Sequence, residues 1–201
     1  MSILVMSEQA VAPSTPSAGK VASYFDSNGI LLVVGDNASS YVACGPILLP
    51  DQPTSSGTAI NVTGVPSWVR IITVNTIGFS TNGTSMPMIR LGDSGGVETN
   101  AYNGSAVTLS PGAITTVPVS SGFMLSGSWA NTVVGHGQIV LVCQSVSSNT
   151  WSCNGVVAST IGSMSFGTGS KALSAPLDRI QLTTLSGAQT FTAGVLSVVY
   201  E

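Results

Sequence analysis

Apolar side chains recur along this chain in short β-branched runs broken by Gly, Asn, Ser and Pro, and nowhere at the 3.6-residue spacing of an amphipathic helix. The steadiest run is Trp68-Val69-Arg70-Ile71-Ile72-Thr73-Val74-Asn75-Thr76-Ile77, which has the length and Val/Ile/Thr content of a sandwich strand. Residues 138–146 and 149–161 read as a hairpin turning at Ser147-Ser148-Asn149. Residues 178–185 and 189–200 read as a second pair joined across Ser186-Gly187. Shorter strands are predicted at 88–91, 106–109, 114–119 and 123–125. About eight strands with turn signals between them predict an all-β fold, an antiparallel jelly-roll sandwich over residues 65–201. In its last strand Val195, Ser197 and Val199 alternate with Leu196, Val198 and Tyr200, so the strand is apolar on nearly both faces and predicts a subunit contact.

Two other regions precede the sandwich. Residues 1–20 form an N-terminal arm: the tract Ala12-Pro13-Ser14-Thr15-Pro16-Ser17-Ala18-Gly19 has no apolar periodicity and too little apolar surface to order itself. The patch Ile3, Leu4, Val5 and Met6 supplies an apolar plug, which makes these the expected anchoring residues on another subunit. Residues 21–64 form a small β collar and connector. Val21 to Phe25 and Ile30 to Val34 make a hairpin around Asn28-Gly29, and Tyr41 to Cys44 adds a third strand. Such a meander is too small to be stable alone. Pro46, Pro50, Pro53, Gly57 and Gly64 make 45–64 a connector with one short strand at 59–63.

Charge sharpens the expectation of assembly. Only 6% of the 201 residues are charged, against roughly 25% in soluble proteins. A monomer of this mass exposes on the order of 8,800 Å², too much surface for so few charges unless neighbouring subunits cover part of it. The cations Lys20, Arg70, Arg90, Lys171 and Arg179 are scattered and the net charge is -3, so no nucleic-acid footprint is expected. The longest apolar stretches, at 30–34 and 139–143, fall far short of the ~20 residues of a membrane-spanning helix, and no cation precedes the 3–6 patch as in a signal peptide. Three cysteines without secretory context do not make a disulfide framework. Cys143 and Cys153, symmetric about Ser148, read as buried thiols, with a cross-strand bridge as the alternative.

Chemistry-bearing motifs are few. Gly92-Asp93-Ser94-Gly95-Gly96 matches the surroundings of a serine-protease nucleophile and the hydrolase elbow. The single histidine, His136, follows Ser94, which excludes the trypsin-like order, and 97–110 is turn-rich rather than helical, which disfavours the elbow. The motif is therefore expected to be a Gly-rich turn. His136 has no second histidine to share a metal with. Residues 167–171 lack Walker spacing and read as a loop, and the Asn-x-Ser/Thr matches at Asn37, Asn61, Asn82 and Asn103 read as accidental. No catalytic residue, metal or cofactor is expected. Trp129, flanked by Gly and Ser, and Tyr102 are candidate receptor contacts that could stack on sugar rings, against the alternative that they fill the core.

The run from Pro13 through Gly19-Lys20-Val21-Ala22-Ser23-Tyr24-Phe25 and Asp26-Ser27-Asn28-Gly29 to Ile30-Leu31 resembles a segment near the start of tailed-bacteriophage tail-fibre and other virion proteins. Residues 89–99 with Tyr102, Leu177-Asp178-Arg179-Ile180, and 191–201 are similar to C-terminal β-sandwich domains of phage fibres and capsid decoration proteins. The resemblance implies a non-enzymatic virion component, a homotrimer assembled in the host cytoplasm and anchored by its N-terminus. Its partners would be copies of itself, other tail or capsid proteins and, in a receptor-binding role, a host surface glycan. No shaft repeats or heptads are present, so the implied form is a short tail fibre or tail-tip protein, with a capsid decoration protein or a carbohydrate-binding module as alternatives.

Overall fold

The computed structural model describes residues 13–25, 31–35, 40–42 and 46–201, and every regular element among them is a strand. The chain divides into two compact units, Met1–Pro46 and Ile47–Glu201. In the first, β1 (Ala22–Phe25), β2 (Leu31–Val34) and β3 (Ser40–Val42) form an antiparallel three-stranded meander. Tyr24 and Val34 are its buried apolar side chains. The anchoring residues Ile3, Leu4, Val5 and Met6, and the turn at Asn28-Gly29, lie outside the described residues.

The second unit opens with three short strands, β4 (Ile47–Leu48), β5 (Gln52–Pro53) and β6 (Ala59–Thr63). There follow β7 (Ile71–Thr81), β8 (Pro87–Asp93), β9 (Gly96–Val97), β10 (Asn103–Ser110), β11 (Ala113–Val119) and β12 (Phe123–Met124). The chain ends with β13 (Gly135–Ser145), β14 (Thr150–Ser159), β15 (Met164–Ala172), β16 (Arg179–Thr184) and β17 (Phe191–Tyr200). They build a nine-stranded sheet, β11-β10-β15-β14-β13-β7-β17-β4 with β5 also on β17, and a five-stranded sheet, β12-β8-β16-β6 with β9 on β8.

Pairing is nested: β4 and β5 with β17, β6 with β16, β7 with β13, and β8 with β12. An antiparallel ribbon folded so that first meets last and rolled into two facing sheets is a jelly roll. Strand alternation makes the core. Ile72 and Val74 of β7, Ile139 and Leu141 of β13, and Leu196 and Val198 of β17 point inward from the large sheet onto Ile89 and Leu91 of β8 and Ile180 and Leu182 of β16. Two insertions then extend the large sheet, since β14 and β15 continue it beyond β13, and β10 and β11 complete it.

Three expectations need correction. The sandwich begins at Ile47 rather than at residue 65, because β4, β5 and β6 are strands of its two sheets; Pro is tolerated in short edge strands such as β5. Residues 178–185 and 189–200 do not pair with each other. Their turn carries the chain from the small sheet to the large one, with Gly187 at φ +67. Residues 167–171 are not a loop but most of β15, held between β14 and β10. Glycine is required where β17 bulges against β7: a Cβ on Gly194, at φ +102, would lie 2.5 Å from the Phe79 nitrogen.

Candidate functional site

The residues that could carry chemistry lie at one end of the small sheet, and their hydrogen bonds hold the fold. Asp93 closes β8, and Ser94 is exposed in the turn to β9. The Gly95 amide donates to Asp93 Oδ1 at 2.8 Å, and Ser174 Oγ lies 2.6 Å from Asp93 Oδ2 and 3.0 Å from Glu98 Oε1. The Ser174 hydroxyl and the Gly95 amide hold the Asp93 carboxyl below its ordinary value. Lys171, 3% exposed, pairs with Glu98 and lies 5.4 Å from the centre of the Tyr102 ring. Burial pushes the Glu98 carboxyl up, but the Lys171 and Ser174 donors outweigh it and the net shift is downward. Arg179 grips Asp178 through Nε (2.6 Å) and Nη2 (3.1 Å).

Ser94 and His136 belong to different sheets. His136 stands exposed on β13, where its Nδ1 accepts a hydrogen bond from the Gly78 amide at 3.1 Å. Among the described residues, no group of three His, Cys, Asp or Glu side chains is placed to hold a metal. Cys143 and Cys153 are free thiols and are not opposite each other: Cys143 faces Trp151, and Cys153 faces Leu141. Burial pushes the Cys153 thiol up to about 12. No described helix is long and apolar enough to cross a membrane.

The two candidate receptor contacts are core residues. Trp129 is 7% exposed, stacks on Phe79 with ring centroids 4.9 Å apart, and donates from Nε1 to Thr81 Oγ1 at 3.0 Å. Tyr102 packs edge-on against Phe123 at 5.0 Å; its hydroxyl accepts from the Leu91 amide at 2.7 Å and donates to the Glu98 carbonyl at 3.0 Å. Both rings are buried within the fold, so neither is free to stack on a sugar. The loop setting of Trp129 is correct, but the loop folds inward over the end of the sandwich.

What the molecule offers outward is the uncovered face of the large sheet. From β7 to β11 its outward strand positions carry no Asp, Glu, Lys or Arg. Seven of its side chains are large, apolar and exposed: Leu48, Ile77, Leu109, Ile114, Val156, Met164 and Phe166. The middle strand is inside out. On β15 Met164 and Phe166 point to solvent while Ser165 and Gly167 are buried. Inside, Ser165 Oγ meets Thr108 Oγ1 (2.8 Å) and Ser126 Oγ (2.9 Å), a closed hydroxyl cluster that satisfies these buried groups. Outside, β10, β11, β13, β14 and β15 form a cleft of about 470 Å³. Val107, Val156 and Phe166 are among its apolar lining, and Gln138, Asn154 and Thr168 supply its uncharged polar groups. Thr168 Oγ1 donates to Asn154 Oδ1 (3.0 Å) and Gln138 Nε2 to Asn75 Oδ1 (3.1 Å), which fixes both amides.

Sequence reasoning missed this face because Gly167, Thr168, Gly169 and Ser170 have loop composition. The available signal was the alternation of Met164, Phe166 and Thr168 with Ser163, Ser165 and Gly167, a strand pattern with its large residues on the face turned away from the core. No protein-family model matches the chain, and no curated protein is significantly similar to it.

Proposed function

We propose that this protein is a non-enzymatic structural component of a tailed-phage virion, a homotrimer of short tail-fibre or tail-tip type whose N-terminal arm attaches it to the particle. The observation that carries the reading is the charge-free outer face of the large sheet, with exposed Phe166, Met164, Leu109 and Ile114. A free monomer rarely leaves such a contiguous apolar surface to water, whereas a subunit of a permanent assembly covers it. The jelly-roll architecture and the resemblance read from residues 13–31 and 191–201 point in the same direction. The charged cluster around Asp93, Glu98 and Lys171 is occupied by its own ion pair and hydrogen bonds, which supports a stabilising role rather than catalysis.

Gold-labelled antibodies raised against the chain, applied to virus particles purified from the source that encodes it, test the reading. Labelled tail tips are expected; labelled heads would make it a capsid decoration protein. Particles without the chain would overturn the virion assignment. Light scattering of the purified protein should give three times the 20.3 kDa chain mass.

A further inference from the structure

We propose that the outer face of the sheet extension, formed by β14, β15, β10 and β11 together with β13, is where a second copy of this chain docks. The proposal rests on the assembly reading above and names its contact surface.

Three observations converge on a second copy as the occupant. The first is relief. Leu109, Ile114 and Met164 lie side by side in register across β10, β11 and β15, exposed by 42%, 74% and 46%. This row adjoins the cleft floored by Val107, Val156 and Phe166. A ridge beside a hollow of the same apolar chemistry is complementary to itself, because the ridge of one copy can enter the cleft of the next.

The second is charge. A face without Asp, Glu, Lys or Arg meets its own copy with no like-charge repulsion and no ion to desolvate. A charged partner would gain nothing from it. With β7, which carries the same charge-free face on past β13, the six strands span roughly 24 Å by 23 Å at ~4.8 Å strand spacing and ~3.3 Å per residue. Side-chain relief brings that area toward the ~800 Å² per partner of a standard stable interface.

The third is how the edges are guarded. β11, at one end of the sheet, carries Pro118, and at the other end β4 and β5 are two residues each with Pro53 on β5. Proline and brevity block edge-to-edge strand addition. The face has no comparable guard. Association is thus directed face-on, and β15 is inverted to serve it: Ser165 turns inward to the hydroxyl cluster so that Phe166 and Met164 can turn outward.

The test is light scattering and sedimentation of the full chain as wild type, Phe166→Glu, Asn154→Asp and Thr63→Glu. Asn154→Asp is isosteric, keeps the acceptor for Thr168, and only adds a charge to the cleft, so it decides the matter even if Phe166→Glu fails to fold. Wild type and Thr63→Glu, on the outer face of the small sheet, should be multimeric. Asn154→Asp should weaken association at least tenfold, and Phe166→Glu should give single chains with an unchanged far-ultraviolet dichroism spectrum. A multimeric wild type whose mass survives both face variants would overturn this surface while leaving the assembly reading intact. A wild type that stays a single chain at its highest soluble concentration would overturn self-docking and the homotrimer with it, while labelling of particles separately tests the virion assignment.

Discussion

The two sheets share one core but present opposite exteriors. The small sheet shows solvent Arg90, Arg179 and Gln181, with Asp178 gripping Arg179 and the Asp93–Ser174–Glu98–Lys171 cluster at its end. The large sheet shows Val, Phe, Met, Leu, Thr and Asn, and no formal charge from β7 to β11. With so few charges in the chain, placing most of those in the sandwich around the small sheet leaves the other exterior apolar. The difference separates a surface built to stay wet from one built to be covered.

The extension also shows how the apolar face is supported from behind. Met88 and Met124 lie on the side of the small sheet away from Ile89 and Phe123, and Ala106 and Val119 of β10 and β11 cover them as a second, smaller core. The extension therefore packs onto the sandwich through its inner face, which leaves its outer face turned away from that core.

The largest effect should come from what lies beneath both exteriors. Trp129→Ala removes the ring stacked on Phe79 and should lower unfolding free energy in urea by about 4 kcal/mol; a loss under about 1 kcal/mol would restore Trp129 as a surface residue. Next, Glu98→Gln leaves the Lys171 ammonium buried without its counter-charge, and a loss on the order of 3 kcal/mol is expected. The same cluster sets the acid response. Asp93 and Glu98 are held below their ordinary values, so they stabilise the fold above about pH 4, where the unfolded carboxyls ionise, and that stability is lost as pH falls through the folded values. Thermal melts should be level from about pH 5 to 7 and fall below, and Ser174→Ala, by letting the folded carboxyls rise toward their ordinary values, should make that acid-dependent fall smaller. Smallest is Tyr200→Phe. Among the described residues the buried Tyr200 hydroxyl has no hydrogen-bond partner, and burial pushes it up to about 12, so its removal should change stability by less than about 1 kcal/mol, toward greater stability.

The jelly roll was legible in the sequence because each core strand carries its own period-two pattern, as in Ile72, Val74 and Thr76 against Thr73, Asn75 and Ile77. What periodicity cannot report is which strands pair. A turn such as Ser186-Gly187 looks the same whether it closes a hairpin or crosses between sheets, so β16 and β17 were indistinguishable from a hairpin. Proline content likewise concealed β4 and β5, which are strands only because β17 supplies their partner. Trp129 shows the same limit from the other side: a Gly/Ser-flanked aromatic is in a loop, yet its indole needs Phe79 and Thr81, forty-eight or more residues upstream, to explain its burial. The apolar face was least legible, since the strand at its centre, β15, reads as a loop by composition.

Hydroxyl-radical footprinting across a dilution series tests the central claim most directly. If the large sheet's exterior is the covered one, Met164 and Phe166 will be protected at high protein concentration and oxidised on dilution, while Met86 and the Arg90 side of the small sheet will label equally throughout. Equal labelling of Met164 and Phe166 at every concentration, in a protein whose mass shows it to be assembled, would contradict the account.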